Sequence, residues 1–229
     1  MKILLLRVGI DSRYNALSPV FKDFTFEYIP IYYKDKKDIE KKEKRTFRNL
    51  IGSKGKPLSE YLPEKIKDKK IHFDPEFETF TYGEVKNPKR SALLKLGKND
   101  LLVFYMGGYF VNKSYEKQCF IFGFFEVDKV YDWTKKNERG KIIKECEKNA
   151  HIISSKTKDN LVIVKGTNRS RLLEKCIQIT DKCDIKGIPY LTKPEFYKNY
   201  DIREFIVRAT PIWIKQEKKI NNLQLLLKK

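Results

Sequence analysis

Residues 96–130 read LGKNDLLVFYMGGYFVNKSYEKQCFIFGFFEVDKV, and this stretch decides the fold. Two apolar, aromatic runs, at residues 101–105 and 119–127, each have the length of an ordinary strand and are bounded by turn residues. Their spacing predicts an antiparallel pair, with Gly107-Gly108 as a flexible break between the strands. Gly123, inside the second run, predicts a bulge or a corner where backbones approach closely. Such a pair belongs to a small β-barrel or a strongly bent sheet.

Working outward, residues 87–97 predict a helix: Asn87 as N-cap, Pro88 at the first position, Ala92, Leu93, Leu94 and Leu96 as apolar contacts, Gly97 as C-cap. Residues 3–8 form a buried first strand that stops at Gly9-Ile10-Asp11-Ser12. Residues 24–33 alternate around Pro30 as an edge strand. Residues 36–49 are highly charged, with Ile39, Phe47 and Leu50 as sparse anchors, and read as an exposed helix or an ordered insertion. Short strands follow at residues 71–74 and 79–82. Residues 138–149 predict a helix with Ile142, Ile143 and Cys146 inward, 161–164 a buried strand, and 170–179 another helix. Residues 204–214 read as mostly extended and 218–227 as amphipathic. Strands and helices mix without regular β-α-β alternation, so the fold class is α+β: a bent, mainly antiparallel sheet or small barrel with flanking helices. One domain spans residues 1–229, with a charged insertion at 34–70 and an amphipathic segment at 215–229.

The chain carries 49 Lys and Arg against 30 Asp and Glu, a formal net charge of +19. With 41% hydrophobic residues it is a globular protein and not a basic tail. A thermophilic Lys/Glu-rich surface would keep the two signs nearer balance. The excess therefore points to polyanions, with nucleic acid (DNA or RNA) or a nucleotide as the expected partner. Residues 85–99 hold Lys86, Lys89, Arg90, Lys95 and Lys98 with no acid, and a second acid-poor stretch runs through Lys165, Arg169 and Arg171. No segment has the length of a membrane span, and no signal peptide is read at the start. Cys119, Cys146, Cys176 and Cys183 form no C-x-x-C pair, as expected of reduced core thiols in a cytoplasmic protein. With only two imidazoles, His72 and His151, no zinc site is expected, no metal ligand is assigned, and the cofactor is unknown.

Chemistry has four places to sit. His72-Phe73-Asp74-Pro75-Glu76 and Thr81-Tyr82-Gly83-Glu84 cluster polar groups where short strands end, although Asp-Pro is also ordinary turn chemistry. Asp74 with Glu84-Val85-Lys86 resembles the D…E-x-K pattern of metal-dependent nucleases. That chemistry needs the E-x-K on a strand, whereas Gly83 before it and Asn87-Pro88 after it predict a loop. Lys165-Gly166-Thr167-Asn168-Arg169-Ser170 joins a strand to the predicted helix, where a capped N-terminus with nearby cations suits an anion. Tyr105, Tyr109 and Tyr115 flank the break in the hairpin and suit base stacking, while Phe104 and Phe120 belong to a core. Gly52-Ser53-Lys54-Gly55-Lys56 lacks the spacing of a phosphate loop.

Several short motifs in order carry a resemblance: Leu6-Arg7-Val8-Gly9-Ile10-Asp11-Ser12, Phe26-Glu27-Tyr28-Ile29-Pro30-Ile31, His72-Phe73-Asp74-Pro75, Thr81-Tyr82-Gly83, the 96–105 run, Asn149-Ala150-His151 and Arg169-Ser170-Arg171-Leu172-Leu173. Together they resemble the nucleotide modification associated domain family, third type. The resemblance implies an association with systems that modify bases in nucleic acid. Its shared polar positions fall on Arg7, Asp11, Ser12, His72, Asp74, Tyr82 and Asp100. The Gly97–Asp100 turn and its strands are also similar to the central hairpin of PUA-like domains, including the EVE and ASCH types, which implies a pocket for a nucleobase.

The reading that unites these features is a protein that recognises or acts on a nucleobase. Arg7, Lys86, Arg90, Arg169 and Arg171 would hold phosphates, with Asn168 and Ser170 at the same loop. Tyr82, Tyr105 and Tyr109 would stack on or gate the base. Asp11, Asp74 and Asp100 would read its polar edge or serve as acid/base groups, with Asp11 or Asp74 as the catalytic base, and Ser12 and His72 are further substrate-binding candidates. Two alternatives stay open: a metal-dependent nuclease using Asp74, Glu84 and Lys86, and a basic scaffold for a partner protein.

Overall fold

The 96–130 hairpin is the spine of the computed structural model, which describes residues 1–11, 14–34, 39, 41–111, 116–154, 159–183, 190–206 and 210–228. Its strands are β1 (Ile3–Arg7), β2 (Ser18–Val20), β3 (Ile31–Tyr32), β4 (Ile71–His72), β5 (Thr81–Glu84), β6 (Leu101–Phe110) and β7 (Gln118–Asp132). After these come β8 (Val162–Gly166), β9 (Arg171–Gln178), β10 (Thr180–Cys183), β11 (Tyr190–Thr192), β12 (Phe205–Ile206) and β13 (Ile212–Ile214). The described α-helices are α1 (Lys89–Leu93), α2 (Arg139–Glu145), α3 (Ala150–Ile153), α4 (Pro194–Tyr200) and α5 (Glu217–Lys228).

The main sheet runs β13-β1-β6-β7-β8-β5, with β2 added to β6 and β9 to β7. Only β1 and β2 pair in parallel, both with β6; the other neighbours are antiparallel. The fold is therefore α+β with a mainly antiparallel sheet. Among the described residues the strand path is open, so a closed barrel of the PUA-like kind is not found.

Strand β7 is long enough to serve two sets of neighbours. Its first part pairs with β6 and β9, and its last part, from Val127, pairs with β8. At Gly123 the register slips: Phe104 faces Gly123 while Tyr105 faces Ile121, leaving Phe122 as the extra residue of a bulge. A Cβ on Gly123 would lie 2.7 Å from the Phe77 ring and 3.0 Å from the Arg171 carbonyl oxygen. The expected close approach is thus present. Gly107 and Gly108, by contrast, are not a break but part of β6, and the link between the strands begins at Val111. Their missing side chains make room for other groups: a Cβ on Gly107 would meet Arg7 Nη2 at 2.7 Å, and one on Gly108 the Ser18 carbonyl oxygen at 3.0 Å.

Period-two alternation divides the core between the sheet's two faces. Leu4, Leu6, Leu102, Phe104 and Met106 point to one side, where Phe122, Phe125, Tyr82 and Leu93 pack. Ile3, Leu5, Val103 and Tyr105 point to the other, beneath Phe196 of α4 and Ile220, Leu223 and Leu227 of α5. Burial on both faces explains the unbroken apolar run of β1. The amphipathic 218–227 segment is therefore the helix that covers the second face. A third cluster, around Phe47, Leu58, Ile66 and Ile71, anchors the charged 41–71 region.

Several expected elements differ. Within residues 170–179, expected as a helix, Arg171–Gln178 form strand β9 paired with β7. Described residues 41–50 carry turns and one bridge and no helix. Within the 24–33 segment only Ile31–Tyr32 is a strand, paired with β4. Ile143 of α2 is 49% exposed, so the helix turns only Ile142 and Cys146 inward. No helix among the described residues is long and apolar enough to cross a membrane.

Candidate functional site

Asp74 lies two residues beyond the end of β4 and is buried, with 7% of its surface exposed. Its carboxylate accepts the Gly83 backbone N–H at 3.1 and 3.2 Å, which ties the turn after β4 to strand β5. Asn149, fully buried, caps α3 by accepting the His151 backbone N–H at 3.0 Å. The same side chain donates through Nδ2 to Asp74 Oδ1 at 3.3 Å and to Thr81 Oγ1 at 3.1 Å. The cap thus fixes where His151 enters: its Nε2 stands 3.3 Å from Asp74 Oδ2. Gly83 leaves the space for that ring, since a Cβ there would lie 2.6 Å from His151 Cδ2.

His72, on β4, presents its ring edge-on to His151, with centroids 4.7 Å apart at 81°. One ligand atom from each of His72, Asp74 and His151 lies within 4.8 Å of the other two. His72 Nδ1 is buried and has no hydrogen-bond partner among the described residues. Burial, with the neighbouring His151, pushes the His72 imidazole down to about 3, so it is neutral. Burial also opposes charge on His151, but its bond to Asp74, the Asp74 and Glu84 charges and a backbone hydrogen bond at Gly83 outweigh this and raise it. Asp74 is itself raised, because burial outweighs its bonds to His151 and Gly83. Asp74 and His151 are thus both raised and lie within reach of one proton, while the His72 imidazole is neutral.

These groups line a cleft of about 310 Å³. Of the residues expected from sequence, the structure brings Arg7, Asp11, His72, Asp74, Tyr82 and Lys86 to its walls. Glu84, Lys89 and His151 join them. Glu84 ends strand β5, where a loop was expected, and its Oε1 accepts the Val85 and Lys86 N–H groups at 2.9 and 3.0 Å. Lys86 is exposed at the rim. Lys89 Nζ donates to the Arg7 carbonyl oxygen at 2.6 Å, fastening α1 to the end of β1. Tyr82 is 3% exposed and packs on Phe104 at 5.3 Å, so it forms floor and not a free stacking face. A larger groove, about 780 Å³, lies between β9, α4 and α5, but neither imidazole reaches it.

Other expected residues lie outside the cleft. Asp100 is buried in its turn, accepting the Gly97 N–H at 2.8 Å and the Lys2 N–H at 2.9 Å. Tyr105 has the parity of the opposite sheet face and is fully buried beneath α4 and α5, unable to stack on a base. Tyr109, half-buried on the same strand, is not on the cleft wall. Arg90 donates to the Asn160 carbonyl oxygen at 2.6 Å and faces Asp132 at 3.4 Å. Ser170 Oγ accepts the Glu126 N–H at 3.1 Å, Arg169 pairs with Glu126, and Arg171 reaches the Leu227 carbonyl oxygen. Exposed Asn168 lies in the same turn. Because a strand follows that loop, the helix N-terminus expected to hold an anion is absent. Ser12 and Tyr115 lie outside the described residues.

Sequence reasoning assigned no role to Asn149 or His151. The available signal was the Asn149-Ala150-His151 motif, an N-cap followed by the second of only two histidines. Comparison with curated proteins and with solved structures gave no match. The family profile for nucleotide modification associated domain 3 matches residues 2–222. With the profile covering nearly the whole chain, sheet and cleft included, this protein belongs to the nucleotide modification associated domain 3 family.

Proposed function

We propose that the cleft receives one nucleotide of a nucleic acid and that the protein serves base modification by recognising or acting on it there. The observation that carries this reading is convergence. Arg7 and Asp11 come from the end of β1 and the loop after it, His72 and Asp74 from β4 and its turn, and Tyr82 and Lys86 from β5 and the turn beyond. All line one cavity of about 310 Å³, the lower end of the range for small-molecule sites and enough for a nucleoside. Lys86 and Lys89 supply positive charge for phosphate, and Asp11 and Asp74 face the base's polar edge. The formal charge of +19 favours the approach of a polyanion. Cys146 and Cys176 are buried thiols, which supports a cytoplasmic setting.

Anisotropy with a fluorescent oligonucleotide tests the reading. Binding should weaken steeply with salt, and Lys86→Ala combined with Lys89→Ala should reduce the slope of log K against log salt by about 1–2. An unchanged slope and affinity would remove the phosphate role from these lysines.

A second reading, metal-dependent nucleic-acid cleavage, gains from one observation. Glu84 is the last residue of β5 and Lys86 lies in the bend just beyond it, and both share the cleft with Asp74, so the residues of the D…E-x-K pattern are together although only its Glu is on a strand. Magnesium-dependent cleavage abolished by Glu84→Gln would support it; intact substrate under every divalent metal tried would end it.

A further inference from the structure

We infer that His72, Asp74 and His151 form a binding site for a divalent first-row transition metal ion, open on the side of the cleft. The inference rests on the proposed function only for what the ion would face; the site itself stands on geometry. Two imidazoles and one carboxylate, with one ligand atom of each within 4.8 Å of the others, meet at the meeting point of β4, β5 and α3. Around an ion held at about 2.0–2.2 Å, neighbouring donors stand roughly 3–4 Å apart, so small side-chain adjustments complete the shell.

Three further features match what such sites need. His72 Nδ1 is a buried polar atom without a hydrogen-bond partner among the described residues. Buried nitrogens are normally satisfied, so this one points to a group that binds there. Asp74 is held by the Gly83 N–H and Asn149 Nδ2, and the cap at Asn149 positions His151. Metal ligands are characteristically oriented by such outer hydrogen bonds. Finally, three protein ligands leave coordination positions open, which is the pattern of reactive metal sites and not of closed structural ones. Imidazole donors favour zinc, iron, cobalt or nickel over magnesium and calcium. Lys86 and Lys89 line the same cleft, so an anionic oxygen such as phosphate is the class of group that fits the open positions.

The test uses the full chain, stripped with a chelator and titrated with zinc by calorimetry and with cobalt by visible absorption. The expected result is one ion per chain, with cobalt giving the absorption of a low-symmetry nitrogen–oxygen site. His72→Gln and His151→Gln should each weaken zinc binding by at least about 10-fold, with circular dichroism confirming the fold. Absence of saturable binding to the unmodified chain would overturn the inference without recourse to any variant, as would full affinity in both variants. Oligonucleotide binding measured in chelator separates the two claims: if it persists in a chain that binds no ion, the site proposed here fails and the nucleotide reading stands.

Discussion

Replacing Asn149 with Ala removes three hydrogen bonds that converge on the cleft. The side chain caps α3 through the His151 N–H at 3.0 Å, and an N-cap is worth about 1 kcal/mol. Its Nδ2 also donates to Asp74 at 3.3 Å, and a hydrogen bond to a charged, buried acceptor contributes about 1.5–3 kcal/mol. The Thr81 hydroxyl, fully buried, loses a donor at 3.1 Å but keeps a weak contact with Glu76 at 3.5 Å. The expected loss of stability is about 3 kcal/mol, a large share of the usual margin for a folded domain. Asn149→Asp is a sharper probe. It keeps the capping oxygen and turns the donor facing Asp74 into a second acceptor, so it should destabilise at least as much as Ala even though Asp is a good cap. Urea unfolding followed by circular dichroism measures both. A loss below about 1 kcal/mol for Ala, or a more stable Asp variant, would refute the claim that Asn149 joins the cap to the Asp74 carboxylate.

Other residues give separate expectations. Gly83→Ala would place a Cβ 2.6 Å from His151 Cδ2 and 3.1 Å from Asn149 Oδ1; it should cost about 1–3 kcal/mol and displace the His151 ring, seen as a shifted imidazole NMR signal. An unshifted signal would contradict the packing. Asp100→Ala leaves the Gly97 and Lys2 N–H groups without their acceptor and should cost about 1–2 kcal/mol in urea, with oligonucleotide affinity unchanged; weaker binding at full stability would return Asp100 to the site. Burial pushes the Cys146 and Cys176 thiols up to about 12, so neither should react with an aromatic disulfide reagent at pH about 8 until the chain unfolds, and rapid native labelling mapped to either cysteine would count against the core assignment.

Local patterns made much of the fold legible. The alternation and turn residues of the hairpin, the apolar run of β1 and the spacing of Ile220, Leu223 and Leu227 in α5 each follow from a short window of sequence. Strand β9 shows the limit. Leu172, Leu173, Cys176 and Ile177 repeat at helical spacing, but pairing with β7 decides the matter and leaves Leu172 45% exposed. Tyr105 fails for a related reason: its sequence neighbourhood suits stacking, and only strand parity assigns it to the face under α4 and α5. In the site, His72 and Asp74 share one motif and Tyr82, Glu84 and Lys86 another. His151 reaches them through the fold of α3 against β5, a contact that no local pattern encodes.

The central claim is that the nucleotide sits in the cleft walled by β4, β5 and α3. Photo-crosslinking of an oligonucleotide carrying a halogenated or thiolated base, followed by mass spectrometric mapping, locates the base on the chain directly. Cross-links should fall on cleft residues, with Tyr14, His72, Tyr82 and His151 the aromatic side chains on its walls. Cross-links confined to the 165–178 stretch, with none on the cleft walls, would contradict the account.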